Sequence, residues 1–220
     1  MGKSKRKSKK RIILAFFIAF ALGIPAVFYL NSYFLDNEVG HIPLGKLQRA
    51  EHNYSKEVRE IAAELNLSYE YLMALIVLET SGTKPAGSRF EKHIYKKLIQ
   101  LQEGKRAKFE DLTPADVQGA SDEAIRNLAT SWGPFQLMGY KCLGLGVNIR
   151  DIRDEGSLKL GARWIKKEYG HLLKKKRYRD AFHYHNTGKL YPSSGVVKTH
   201  DPNYVSKGLT YMDYFRVTEE

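Results

Sequence analysis

Glu79 closes an unbroken apolar run, Leu72 to Leu78. On a helix, Leu72, Leu75 and Ile76 lie seven, four and three positions before it and share its face. A carboxyl group on such a face is poorly solvated, and burial favours its protonated form. An acid that keeps its proton can hand it to a leaving oxygen, and a glycosidic oxygen is a suitable acceptor. The same position also suits a buried Glu that pairs with an Arg or Lys.

The other residues able to do chemistry lie far along the chain. Gln136 and Asn186 carry side-chain amides that each donate and accept hydrogen bonds, which matches the N-acetyl and hydroxyl groups of a glycan. Gly133 and Gly139 flank Gln136 and would let backbone approach a sugar, or simply make turns. Tyr204 offers a hydroxyl for Glu79. Ser81, Met138, Tyr184 and His185 join the groove candidates, whereas Phe135 is assigned to the core. Glu91 is the candidate for a second carboxylate; capping or salt-bridging the EKHIYKKL helix is the plainer role for it. His183 and His185 are two apart, so on a helix they do not share a face, and neither a second ligand pair nor an H-E-x-x-H pattern accompanies them. No metal and no cofactor are expected. Gly144-Leu145-Gly146 lacks the strand and helix context of a nucleotide-binding loop.

Four segments in order carry a resemblance. They are Glu79-Thr80-Ser81-Gly82, Gly133-Pro134-Phe135-Gln136-Leu137-Met138, Asn186-Thr187-Gly188 and Asn203-Tyr204-Val205, with Gly161-Ala162-Arg163-Trp164 between the second and third. Together, over about residues 54–215, they resemble the soluble lytic transglycosylases and their goose-type lysozyme relatives. The resemblance implies an all-α, lysozyme-like domain that cuts the MurNAc-GlcNAc β-1,4 bond of peptidoglycan. It also implies a single Glu serving first as acid and then as base, with the muramic acid C6 hydroxyl attacking to leave a 1,6-anhydro sugar. Thr80 stands where that family usually has Ser, and His185 where it usually has Tyr. The span from Glu79 to Gln136 is longer than usual. It contains Ser88-Arg89-Phe90-Glu91-Lys92-His93, which with Ala129-Thr130-Ser131-Trp132-Gly133 and Gln136-Leu137-Met138-Gly139 is similar to phage-type N-acetylmuramidases. Those enzymes hydrolyse the same bond, so the outcome of the reaction stays open between lytic and hydrolytic. A glycan-binding or scaffold domain of an envelope complex, without catalysis, is the alternative from a different class.

The elements that must position these residues read as helices. Ser55 caps a helix to about Asn66, and Ser68 caps the apolar helix that ends at Gly82. Residues 83–120 look irregular apart from a helix in EKHIYKKLIQLQEG. Ser121 caps DEAIRNLATSW, a long amphipathic helix covers 157–176, a shorter one 178–187, and PNYVSKGLTYMDYF makes the last. Cys142 is the single cysteine, so no internal disulfide is possible and the fold must rest on its core.

The first thirty residues differ from the rest. Residues 1–11 hold seven Lys and Arg and no acid, and residues 12–30 hold no charge. Nineteen residues at helical rise span about 28 Å, close to a bilayer core. The expectation is a basic cytoplasmic tail (1–11), an uncleaved transmembrane signal anchor (12–30), a stalk (31–53) and a catalytic domain (54–220). That order puts the domain in the periplasm, held to the inner (cytoplasmic) membrane, where envelope or secretion machinery are possible partners. The tail accounts for seven of the net charge of +12, and the remaining five suit an acidic polymer without calling for nucleic acid.

Overall fold

The computed structural model describes residues 45–217. The proposed tail, anchor and residues 31–44 of the stalk lie outside the described residues. Among those described, no helix is long and apolar enough to cross a membrane.

Helix α1 (Lys46–Leu65) buries Ala50, Tyr54, Val58, Ala62 and Leu65, one face of a 3.6-residue repeat. It starts nine residues before the Ser55 expected from sequence, and residues 46–53 are therefore helix, not stalk. Ala50 is fully buried and extends the apolar stripe by a turn; a small residue there carries little sequence signal. Helix α2 (Tyr69–Thr80) begins at Ser68, whose Oγ accepts the Tyr71 N–H at 3.1 Å. Every residue from Tyr71 to Val77 is buried, so α2 is packed on all sides. Such side chains contribute about 2 kcal/mol each relative to exposure.

The chain then builds a second core that sequence reading missed. β1 (Arg89–Phe90), α3 (Lys92–Gln102), α4 (Pro114–Val117), α5 (Asp122–Leu128), β2 (Thr130–Trp132), β3 (Leu137–Met138), α6 (Lys141–Leu145) and α7 (Ile149–Arg153) follow one another. Ile94, Leu98, Leu101, Val117, Ile125, Leu128 and Ile152 are buried together there. The three strands form an antiparallel sheet in the order β1-β2-β3, pairing Arg89 with Ser131 and Ser131 with Met138. The architecture is therefore mostly helical rather than all-α. Strands of two or three residues are too short to show a period of two. The helix expected to run through Trp132 stops at Leu128 because Thr130–Trp132 pairs into this sheet.

Helix α8 (Ser157–Lys174) serves both cores. Ala162, Ile165 and Tyr169 face the α2 side, while Leu160 faces the other and Trp164 touches both. Its helical dihedrals break at Tyr169 (φ −140°, ψ 19°). Helices α9 (Tyr178–Thr187) and α10 (Tyr204–Val217) complete the fold, with α10 lying along α2.

Glu79 is placed by how α2 ends. Ser81 and Gly82 both take positive φ, 53° and 72°. A Cβ on Gly82 would lie 2.5 Å from the Ala50 backbone nitrogen, so α1 passes directly over this turn. Asn53 Nδ2 donates to the Gly82 carbonyl at 2.8 Å, and the Tyr54 hydroxyl to the Thr83 carbonyl at 2.5 Å. Gly82→Ala meets both the steric and the φ penalty. It is expected to destabilise by roughly 2–4 kcal/mol, read from the urea midpoint at unchanged slope. A loss within about 0.5 kcal/mol, the usual range for surface substitutions, would mean that the α1 contact does not fix the end of α2.

Candidate active site

Two elements bring side chains to the carboxyl group of Glu79. It lies in the last turn of α2, with its side chain 17% exposed. Tyr204, the first residue of α10, is buried and donates its hydroxyl to Glu79 Oε1. His185, in the last turn of α9, places Nε2 3.8 Å from the same oxygen, and its side chain is 7% exposed. Burial, then the charge of Glu79 and the hydrogen bond to it, hold the Tyr204 hydroxyl well above its ordinary pKa, so it stays a donor. Both neighbours address Oε1. Oε2 has no protein hydrogen bond among the described residues.

A chain of hydrogen bonds fixes the histidine. The kink in α8 delivers the Tyr169 hydroxyl to His185 Nδ1 at 2.7 Å. His185 Nε2 lies 3.2 Å from the Phe135 carbonyl, which can only accept. Nε2 therefore carries the ring proton, and Nδ1 accepts from Tyr169. Tyr71 donates in turn to Tyr169 at 3.3 Å. Burial pushes His185 below its ordinary imidazole pKa, against the opposing pull of Glu79 and the Phe135 carbonyl. Burial likewise raises Tyr71 and Tyr169.

Phe135 is a core residue, as expected. Its ring sits on Gly161, where an added Cβ would come within 2.6 Å of it. This accounts for the Gly161-Ala162 pair: a side chain at 161 would push Phe135, and with it the carbonyl that His185 uses.

The expected groove residues divide by what they have left to offer. Gln136, at φ 47°, has its amide engaged by protein. Nε2 donates to the carbonyls of Gly87 (2.8 Å) and Gly133 (3.0 Å), and Oε1 accepts from Ser131 at 2.8 Å. It staples the β2–β3 turn to the loop after Glu79 and retains for a ligand only a lone pair on Oε1. Gly133 and Gly139 meet protein, not open space: a Cβ would lie 2.8 Å from Ser157 and 2.1 Å from the Asn127 carbonyl. Thr80 turns its hydroxyl back onto the Ile76 carbonyl of its own helix at 2.9 Å. Asn186 and Ser81 are exposed, and neither side chain makes a hydrogen bond among the described residues.

A cleft of about 560 Å³ lies beside this assembly, lined by Gln136, Met138, Tyr184, His185 and Asn186 among others. Sequence reasoning missed Glu110, Tyr140, Lys141 and Glu168, which also line it, and placed Trp164 in a motif on the 157–176 helix without a role in the cleft. Tyr140 donates to Glu110 Oε1 at 2.7 Å and Lys141 pairs with Oε2. Nothing in their sequence spacing distinguishes them from surface residues. Glu91 pairs with Arg89 at 2.6 Å and lies 3.5 Å from His93 Nδ1; His93 lines the cleft, but Glu91 does not. His183 is buried, with Nδ1 2.8 Å from the Lys189 carbonyl and Nε2 accepting from the Lys198 N–H at 3.4 Å. It holds the loop after α9. No group of three or more His, Cys, Asp or Glu able to hold a metal occurs among the described residues.

Because the pKa of His185 is lowered on folding, the unfolded chain binds more protons just below pH 6.5. Stability is thus full above that pH and falls as the pH drops towards the folded value. Urea unfolding should show this slope in the wild type and a shallower one in His185→Gln; equal slopes would refute the buried neutral imidazole. Tyr169→Phe removes the donor to Nδ1 and is expected to cost about 1–3 kcal/mol in the same assay.

No protein-family model matches the sequence, and no curated protein matches it. Among solved structures, the fold is similar to that in the crystal structure of Burkholderia AP3 phage endolysin. The TM-score is 0.51 at 18% identity, over 76% of this chain and 71% of that one. At that identity the likeness is one of fold.

Proposed function

We propose that this protein cleaves the glycan strands of peptidoglycan, with Glu79 as the acid. One observation carries the reading: the Glu79 carboxyl group, 17% exposed and held on Oε1 by Tyr204, stands 3.8 Å from His185, which lines the cleft. The endolysin-like fold and the four ordered motifs support it.

The reaction we favour is the lytic one. Glu79 gives its proton to the glycosidic oxygen as the bond from C1 of the muramic acid breaks. The carboxylate then takes the proton of the C6 hydroxyl as that oxygen bonds to C1, leaving a 1,6-anhydro end and no water consumed. One carboxyl group suffices for this, and among the described residues only Glu79 is gathered with Tyr204 and His185. Hydrolysis is the second reading, favoured by Glu91 beside the cleft-lining His93. There Glu91 would activate water, as in glycosidases with paired carboxylates. The residues proposed to meet the sugar are Asn186, Ser81, Tyr184 and Met138, with Gln136 through its backbone turn. The basic residues 1–11 and apolar residues 12–30 support anchoring at the inner membrane with the domain in the periplasm, acting on the wall near whatever envelope machinery it serves.

Dye-labelled peptidoglycan tests this. The full-length chain is expected to release soluble dye, and Glu79→Gln to lose roughly 10²- to 10⁴-fold in rate with its thermal midpoint retained. Release by the folded variant at the wild-type rate would refute the role of Glu79. Glu91→Gln should leave the rate within about threefold under the lytic reading, and lose a comparable 10²-fold or more under the hydrolytic one.

A further inference from the structure

We propose that His185 is a positioning residue for Glu79, supplying a second donor to Oε1 once the carboxyl group has given up its proton. The inference rests on the glycan-cleaving reading above. With Nδ1 occupied by Tyr169 and Nε2 directed between the Phe135 carbonyl and Glu79, the ring has no nitrogen left for a sugar. That removes the simple role of a substrate contact.

The distances define what the ring can do instead. In the resting arrangement Nε2–H bonds the Phe135 carbonyl at 3.2 Å and stands 3.8 Å from Oε1. When Oε2 releases its proton, the negative charge spreads over both oxygens. A charge-assisted bond from Nε2–H to Oε1 is then stronger than the neutral one to the carbonyl, and a small tilt of the ring closes the gap. Tyr204 already donates to Oε1, so the carboxylate would sit between two fixed donors in a poorly solvated place. Tyr169 keeps the ring in the one tautomer with a proton on Nε2; an acceptor nitrogen there would repel the carboxylate. The titratable groups that meet the ring are Glu79 from α2 and Tyr169 from α8, with Tyr71 and Tyr204 one contact further off, on Tyr169 and Glu79 respectively. The turn between β2 and β3 contributes the Phe135 carbonyl. Protonating Nδ1 would reverse the Tyr169 bond, with Nδ1–H donating to the phenol oxygen, and would put a full charge beside Glu79 that draws the proton off the acid, so the device works with a neutral ring.

The test has two arms on the full-length chain in detergent. In the first, nitrogen NMR of labelled histidine follows His185 in the wild type and in Glu79→Gln. The proton is expected on Nε2, and titration is expected at a lower pH in Glu79→Gln, where the carboxylate that favours the charged ring is gone. Identical titration in both overturns the coupling. In the second, peptidoglycan cleavage is measured against pH for the wild type, His185→Gln and His185→Phe, each with a checked thermal midpoint. His185→Phe is expected to lose at least roughly tenfold in kcat at little change in KM. His185→Gln, which keeps an N–H, is expected to recover most of it and to lose the acid limb of the wild-type profile. A uniform loss at every pH, or a change confined to KM, overturns the proposal. A folded wild type that cleaves nothing sinks the glycan-cleaving reading, and the NMR arm still decides whether His185 and Glu79 are coupled.

Discussion

A carboxyl group has to leave a fully buried helix at a defined place, and the rest of the structure follows from that constraint. Helix α2 is apolar on every side through Val77, so it can be covered only by surrounding it with α1, α8, α9 and α10. Those covering helices bring Tyr204, His185 and Tyr169 to the end of α2, where Glu79 emerges. Gly82, pressed against Ala50, stops the helix there. Packing of the first core and assembly of the site are thus one event.

The second core has a different task. It holds the β2–β3 turn, and Gln136 ties that turn to Gly87 in the loop that follows Glu79. Phe135 ties it to α8 through Gly161, and offers its carbonyl to His185. The cleft lies along this seam, with residues of the second core forming the wall that faces Asn186 and Tyr184. A substitution in either core that moves the turn is therefore felt at the carboxyl group without touching it.

Much of the first core was legible in the sequence. The run from Leu72 to Leu78 ending in Glu79, the Ser68 cap and the amphipathic pattern of α8 all follow from apolar spacing and polar caps, and they appear in the structure. The gathering of Tyr204 with Glu79 was anticipated from motif order and not from periodicity. Three things could not be read. The β1–β3 sheet rests on strands of two or three residues, below any detectable alternation. The second core is assembled from several short helices, each contributing a few apolar residues, so no single window shows it. The engagement of Gln136 and His185 by Gly87, Gly133, Phe135 and Tyr169 joins segments far apart in the chain, and a side chain's remaining hydrogen-bonding capacity is visible only once they meet.

In the proposed reaction one carboxyl group performs both proton transfers. Mass analysis of the fragments that the full-length chain releases from purified peptidoglycan tests this most directly. Fragments ending in 1,6-anhydro muramic acid, one water lighter than hydrolysed ones and lacking a reducing end, are the predicted result. Fragments ending in reducing muramic acid, with solvent oxygen incorporated at C1, would contradict the single-acid account and turn attention to Glu91.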